Sequence, residues 1–550
     1  MKKLFPLLLC LSLMLTWGCS NSSQPLTVKA SIATTETADV MPAVGPANEI
    51  ILDFSESLDM KTVENMVSLY ALKVGGMEEA PLEFGHDAQN LNRLIIRTGN
   101  GANLPSGEAY KLVVRKGILS IGGRTLAQDF IGYFATDYNL GHPAEAVVEL
   151  GNTRTITVVV SDIHLGDKRS IDGKYGWFDK NRTKLLSLLD YLRQNPHVRE
   201  LVIAGDMFDE WVAPMVADTF NGASESEFVN MIVSANQSVI DAVNKIIAEG
   251  NIKVTYVPGN HDMLVESKDI QGIFKGINES RDAQGLGAYT PLDRPEIIIE
   301  HGHRYDFFNA PDPISNRSIT KITSIMPPGF FVSKIATTSD LERGHSAFIR
   351  QQLSGLEAAS QRYLSYWAAW QLIMTQKPVQ ESWKDKIIKT GVDGYADMYA
   401  IEDLIPYHPA DNGPLDVNLY KGIVDTWYER QESNNVAVPI LAVIAIAAGA
   451  FNPALDAQAI EQYFLNKSSS KRIVVFGHTH NAGLYTFINS KLQGTIYANS
   501  GTWVDNGDPT CTFAAIIPQK DQQSVTETVT VYQYEDESNI KKIKSAAITN

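Results

Sequence analysis

The chain has 550 residues, enough for more than one domain, and its 44% hydrophobic and 20% charged residues are those of an ordinary globular protein. A formal net charge of −16 argues against a general role on nucleic acid, which needs basic footprints, yet leaves room for a local, metal-centred phosphate site. Cys10, Cys19 and Cys511 are the only cysteines, so no internal disulfide framework is expected, and Cys511 reads as a core residue.

Lys2-Lys3, the apolar run Leu4 to Leu15 and Thr16-Trp17-Gly18-Cys19 have the order of an export signal over residues 1–18. The run is too short and wrongly flanked for a lasting transmembrane helix. Gly18-Cys19 resembles the lipobox of bacterial lipoproteins, with Thr16 where a leucine is usual. That resemblance implies membrane anchoring through a lipidated Cys19 at a cell envelope, with simple secretion as the alternative. Residues 19–47, rich in Ser, Thr, Pro and Ala, read as a tether.

Over residues 48–137 short alternating strands follow, among them Ile50-Ile51-Leu52-Asp53-Phe54 and Tyr110-Lys111-Leu112-Val113-Val114. Turn signals at Gly99-Asn100-Gly101, Ser106-Gly107 and Gly122-Gly123 part them, which predicts an all-β sandwich. Leu52 to Asp59 and Phe134-Ala135-Thr136 resemble the opening and closing strands of bacterial Ig-like domains. The resemblance implies a spacer, or a module that binds a cell-surface or envelope partner.

A short linker with Gly141-His142-Pro143 leads to residues 154–535, where strands alternate with helical patterns, the signature of a layered α/β domain. Leu185, Leu188, Leu189 and Leu192 recur at helical spacing, as do Phe228, Ile232, Val239, Val243 and Ile247 ahead of Gly250. A large insertion over about 312–470 reads as helical, with Phe348 to Met374, Gly422 to Arg430 and the uncharged Val436 to Phe451 as its helices. The insertion is expected to cap the metal site, with Val436 to Phe451 touching a lipid or other greasy part of the substrate, or with its helices packing only on one another. Residues 536–550 read as a polar tail that frays.

Five apolar strands in this domain each end in metal-capable side chains. Val158-Val159-Val160 leads to Asp162-Ile163-His164, and Leu201-Val202-Ile203-Ala204 to Gly205-Asp206-Met207-Phe208-Asp209. The β-branched run Lys253 to Val257 stops at Pro258 and presents Gly259-Asn260-His261-Asp262. Ile297-Ile298-Ile299 leads to His301-Gly302-His303, and Ile473-Val474-Val475 to Gly477-His478-Thr479-His480. The carboxyl ends of strands are where open α/β sheets bind ligands. In Asp162-Ile163-His164 and His478-Thr479-His480 the period of two sets each pair on one side of an extended chain. Carboxylate, imidazole and amide ligands suit Mn²⁺, Fe or Zn²⁺.

In this order the motifs resemble the calcineurin-like metallophosphoesterase superfamily, over Thr155 to Val504 apart from the insertion. The resemblance implies a layered β-sandwich flanked by helices and two divalent metal ions: Mn²⁺, Fe²⁺/Fe³⁺ or Zn²⁺. Asp162, His164, Asp206 and His480 would hold one; Asp206, Asn260, His301 and His478 the other, with Asp206 bridging. A metal-bridging hydroxide would attack a phosphate-ester substrate, His261 would be the general acid for the leaving alkoxide, and Asp209 would orient it. His303, Asp262 and Asp306 read as supports, Trp177 and Trp211 as core or pocket wall, and His142, His197, His345 and His408 as solvated or locally bonded.

Gly205 to Trp211 looks like the bacterial branch that includes lipid A precursor pyrophosphohydrolases, although those carry Arg where this chain has His261, and work in the cytoplasm. The rival readings are a pyrophosphohydrolase for a lipid- or nucleotide-linked substrate and a non-catalytic surface adhesion lipoprotein. The intact ligand set argues against the latter.

Overall fold

The computed structural model describes residues 24–45, 47–99, 101–138, 140, 153–341, 384–407, 416–451, 455–518, 523 and 525–549. The export signal with Cys19, the Gly141-His142-Pro143 linker, the Phe348–Met374 stretch, His345 and His408 lie outside them.

The N-terminal part is strand-rich: β1 (Val28–Ala30), β2 (Val40–Val44), β3 (Glu49–Phe54), β4 (Val67–Lys73), β5 (Gly76–Glu79), β6 (Leu82–Asp87), β7 (Asn90–Thr98), β8 (Ala109–Val114) and β9 (Phe130–Thr136). Period-two burial explains its two layers. Ile50, Leu52 and Phe54 of β3 face Leu69, Leu112, Val114 and Phe134 across a shared core. Sheet β1-β3-β7-β6 thus covers the β2-β9-β8-β4-β5 end of a 12-stranded sheet that continues into the second part of the chain.

The stretch expected to be a tether is part of this body. Met41 and Ala43 are buried, so β2 pairs antiparallel with the last strand of the chain (Val40↔Ile548) and parallel with β9 (Ala43↔Ala135). Serine- and threonine-rich composition concealed that alternation.

In the second part β10 (Ile156–Val160) is followed by α1 (Lys168–Asp172), α2 (Arg182–Gln194), β11 (Val198–Ala204), α3 (Glu225–Ala235), α4 (Gln237–Glu249), β12 (Lys253–Val257), α5 (Ser267–Ile273), β13 (Asn278–Glu279), β14 (Ala288–Tyr289) and β15 (Ile297–Glu300). The insertion contributes α6 (Pro328–Leu341), α7 (Trp427–Ser433), α8 (Ala442–Phe451) and α9 (Asp456–Ala459). Strands β16 (Ile473–Phe476), β17 (Gly483–Ile488), β18 (Gly494–Asn499), β19 (Thr512–Ile517), β20 (Thr526–Asp536) and β21 (Asn539–Thr549) close the chain.

Every residue of β10 is buried because both faces are covered, which is why it reads as a continuous apolar run. Val158 and Val160, with Leu201 and Ile203, meet Leu185, Leu188, Val239 and Val243 of α2 and α4. Val159, Val202 and Val257 face Ile297, Ile299, Ile473 and Val475 of the second sheet, β14-β15-β16-β18-β17. The outer face of that sheet, Ile298, Val474 and Phe476, packs on Val436, Leu455 and Phe464 of the insertion. The order is therefore helices, sheet, sheet and part of the insertion, whose other buried residues, among them Phe330, Tyr395, Trp427 and Ile446, join the helix-side core.

Two expectations need correction. The chain end does not fray: β21 pairs with β20 along its length, buries Ala546, Ala547 and Ile548, and sends Lys542 to the buried Asp137 at 3.1 Å and Ser545 to Thr530 Oγ1 at 2.6 Å. The described part of the insertion is also as much turn and extended chain as helix. The Gly422–Arg430 helix starts only at Trp427, and the apolar helix starts at Ala442, beyond Pro439. The extended residues before Ala442 are held by side-chain amides: Gln431 bonds Ile440 N and O at 2.8 and 2.9 Å, and Gln462 bonds Val438 N and O at 2.9 and 2.7 Å. Among the described residues no helix is long and apolar enough to cross a membrane.

Candidate metal centre

Parallel registers bring the motif loops to one edge. Val160 pairs with Ile203 and Ala204 with Val257 in the first sheet; Ile299 pairs with Val475 in the second. At the ends of these strands the chain turns sharply, and Asp162, Asp206, His164, His478 and His480 all take φ between 52° and 68°. Non-glycine residues rarely adopt that region, so five strained positions on three loops mark a site whose packing fixes them. Two motif glycines have a steric reason. A Cβ at Gly259 would lie 2.1 Å from Asp206 Oδ1, and one at Gly477 would lie 2.6 Å from Asp162 Oδ2.

Asp162, His164 and His480 form one group whose ligand atoms lie within 4.8 Å of one another, and Asp206, His301 and His478 form another. In the first, His480 Nε2 is 3.2 Å from both Asp162 Oδ1 and His164 Nε2. In the second, His301 Nε2 is 3.1 Å from Asp206 Oδ2 and 3.0 Å from Asn260 Oδ1. Asp206 Oδ2 is also 3.7 Å from His164 Nε2, so one carboxylate oxygen stands between the two groups.

This donor set fits cations. Asp162 Oδ1 is buried without a hydrogen bond, beside a ring nitrogen rather than in line with a donor. Both nitrogens of His301 face acceptors, Nδ1 lying 2.8 Å from Ala204 O. Burial opposes charge on His301, but Asp206 and Asp162 outweigh it and draw its pKa up to about 9. The pocket recruits positive charge, and two divalent ions would meet the same demand. Asp162, His164, Asp206 and His480 would hold one, and Asp206, Asn260, His301 and His478 the other.

Asp209 does more than sequence reasoning gave it. Its Oδ1 is 2.9 Å from His261 Nδ1, and its Oδ2 is 3.1 Å from His164 Nδ1. One buried carboxylate orients two imidazoles. Burial raises its pKa, but the charges of His261 and His164 win, and it stays well below the ordinary carboxylate range. The two rings then diverge. Burial lowers both, but Asp209 and Asp206 lift His261 above its ordinary value, while His164 stays below its own. The two neighbouring rings are thus shifted in opposite directions.

The supporting residues are placed too. Asp262 takes hydrogen bonds from Gly259 N at 2.7 Å and Met207 N at 2.8 Å, which ties the second and third motif loops together. Asp306 Oδ2 lies 2.9 Å from His478 Nε2, and His303 Nε2 lies 2.9 Å from Gly285 O. Trp211 lies against His261 at a tilt of 31° with ring centroids 4.6 Å apart, and Trp177 faces His164 and His261 at 5.0 and 5.5 Å. His197 is buried rather than solvated, 3.4 Å from Thr153 O through Nδ1.

The end of β18 and the loop after it were missed. Asn499 Nδ2 donates to Gly477 O at 2.7 Å, while Thr502 Oγ1 and Trp503 N donate to Asp162 O at 3.1 and 3.0 Å. Polar Asn499-Ser500-Gly501-Thr502 directly after an apolar strand was the available signal. A cavity of about 250 Å³ opens beside the second group, lined by Asp306, Asn309, His478, Thr479 and His480 and by Ala448 and Gly449 of α8.

Residues 156–340 match the family model for calcineurin-like phosphoesterases, which supports placing this domain in that superfamily as a metal-using hydrolase of phosphate esters. The match ends before His478 and His480, which the fold itself brings to the site. No curated protein matches the chain. Among solved structures, PcoC, a methionine-rich copper resistance protein from Escherichia coli, is 19% identical over 19% of this chain and 95% of its own, with a TM-score of 0.15. A fragment of native alpha-2-macroglobulin from Escherichia coli is 12% identical over 26% of this chain and 38% of its own, at 0.16. The chitinase ChiW from Paenibacillus is 12% identical over 48% of this chain and 22% of its own, at 0.17. At such scores these likenesses carry no argument.

Proposed function

We propose that this chain hydrolyses a phosphate ester at a two-ion centre. The observation that carries the reading is the position of Asp206 Oδ2, 3.7 Å from His164 Nε2 and 3.1 Å from His301 Nε2, which makes one oxygen common to both ligand groups. Divalent ions held there would supply the charge that polarises a phosphoryl oxygen and lowers the pKa of a water to about 7. The chain supplies the rest. His261 Nδ1 is engaged by Asp209, so Nε2 carries the proton for the leaving oxygen. Trp211 on the ring face and the bond from His261 N to Asp206 Oδ1 at 2.8 Å fix the imidazole beside the ligand carboxylate. Ala204 O holds His301, and Asp306 holds His478, in their orientations.

The reaction takes place outside the cytoplasm, on a protein held at a membrane through lipidated Cys19. Lys2-Lys3, the apolar Leu4–Leu15 run and Gly18-Cys19 support this. Along the chain, the strand-rich N-terminal part lies between Cys19 and the phosphoesterase domain.

The test is metal counting together with turnover. Protein stripped with a chelator and reloaded with Mn²⁺, Fe²⁺ or Zn²⁺ is expected to take up two ions per chain and to regain hydrolysis of nitrophenyl phosphate. Full activity with one ion, or none with two, would overturn the reading.

A further inference from the structure

The insertion meets the metal site through α8, and the chemistry of that helix is narrow. From Val436 to Phe451 no side chain is polar or charged. The helix buries Ala445 and Ile446 in the core, yet leaves Leu441, Val443 and Ile444 exposed at 67%, 45% and 51%. Leu441 belongs to its first turn, since Leu441 O accepts Ile444 N at 3.0 Å and Ala445 N at 3.1 Å. Leu441, Ile444 and Ala448 follow the spacing of one helical face. The far end of that face is the wall of the metal-site cavity, where Ala448 and Gly449 stand opposite His478, Thr479 and His480. Gly449 packs so closely that a Cβ there would lie 2.8 Å from Asp306 Oδ1.

We propose that this face of α8 is the binding track for an alkyl chain, so that the substrate is an amphiphilic phosphate ester with its headgroup at the metal centre. The inference rests on the phosphoesterase reading of that centre. Continuity carries it: seven residues of helix rise about 10 Å, which takes an unbroken apolar strip from solvent to the cavity. A sugar or nucleoside on the same path would lose its water without gaining one hydrogen-bond partner from Leu441, Ile444 or Ala448. An alkyl chain loses nothing there and removes exposed leucine and isoleucine from water. The polar half of the cavity, Asp306, Thr479 and the two histidines, is left for the head.

The experiment compares methyl, butyl and octyl phosphate, all as monomers, on the metal-loaded full chain. Wild-type kcat/KM is expected to rise at least tenfold from butyl to octyl phosphate, chiefly through KM. Ile444→Asp and the milder Leu441→Ser should each cut the octyl-to-methyl ratio about tenfold, whereas Leu292→Asp, at a leucine 98% exposed and outside this face, should not change it. Octylphosphonate should bind wild type more tightly than Ile444→Asp in titration calorimetry, a readout that needs no turnover. A flat chain-length series with nitrophenyl phosphate still hydrolysed overturns the track alone. Equal losses for methyl and octyl phosphate in both variants overturn it as well. No hydrolysis of any ester with two ions bound overturns the phosphoesterase reading instead, and octylphosphonate binding then decides the track.

Discussion

His261 Nδ1 stands 2.9 Å from Oδ1 of Asp209, and this contact decides which ring nitrogen is free to meet a substrate. With Nδ1 occupied, Nε2 would deliver the proton in the proposed reaction. Replacing the ring by His261→Ala should lower kcat about 10²–10⁴-fold for alkyl phosphates, the usual contribution of a general acid. Nitrophenyl phosphate, whose leaving group needs no proton, should lose far less, and the metal content should be unchanged. Equal losses for both esters, measured in one buffer, would remove His261 from that role.

Asp206 lies between the two ligand groups, so its loss acts on both at once. Asp206→Asn should fold, because the amide keeps an oxygen to accept His261 N, but should retain neither ion firmly and lose most turnover. Near-normal rates with two ions still bound, by mass spectrometry, would contradict the arrangement.

Much of this centre could be read from the chain because strands buried on both faces become unbroken apolar runs. Val158–Val160 and Ile473–Val475 announce themselves, and so do the polar residues that interrupt them. What stayed hidden depends on distance in sequence. Nothing in Gly205-Asp206-Met207-Phe208-Asp209 indicates that Asp209 also reaches His164, because that contact follows from the pairing of β10 with β11. The burial of β2 and β21 was hidden for the same reason. β2 alternates over only five residues, and its cover comes from β9 and β21, as that of β21 comes from β20 and β2.

Lys334 gives a pH signature away from the metal centre. It is fully buried in α6, donating to Ala217 O and Thr219 Oγ1, each at 3.0 Å. Burial lowers its pKa from 10.5 to about 7. The sign follows from proton counts. Between about pH 7 and 10.5 the unfolded chain keeps the lysine proton and the folded chain does not, so stability rises with pH across that window. Relative to Lys334→Met, the wild type should therefore gain Tm by several degrees from pH 7 to pH 9.5. A difference that does not change with pH would show that the lysine stays charged when buried.

Asp306 was read from sequence only as a support, and its contact shows what it supports. Its Oδ2 lies 2.9 Å from His478 Nε2, and it also takes Phe308 N at 2.8 Å and Asn309 Nδ2 at 2.7 Å. Burial raises its pKa, but the bond and charge of His478 lead the effects that bring it below the ordinary value, so it is an anion facing that ring. Partners of this kind fix the tautomer and direction of a ligand histidine, and their removal typically costs about 10–100-fold in metal affinity. Asp306→Leu should show that loss for one of the two ions, measured by competition with a chelating dye, whereas Asp306→Asn, which keeps an oxygen toward His478, should lose less. Equal weakening of both ions in Asp306→Leu would point to a general collapse of the loop, because the bond runs to His478 alone among the metal-site histidines in the described residues.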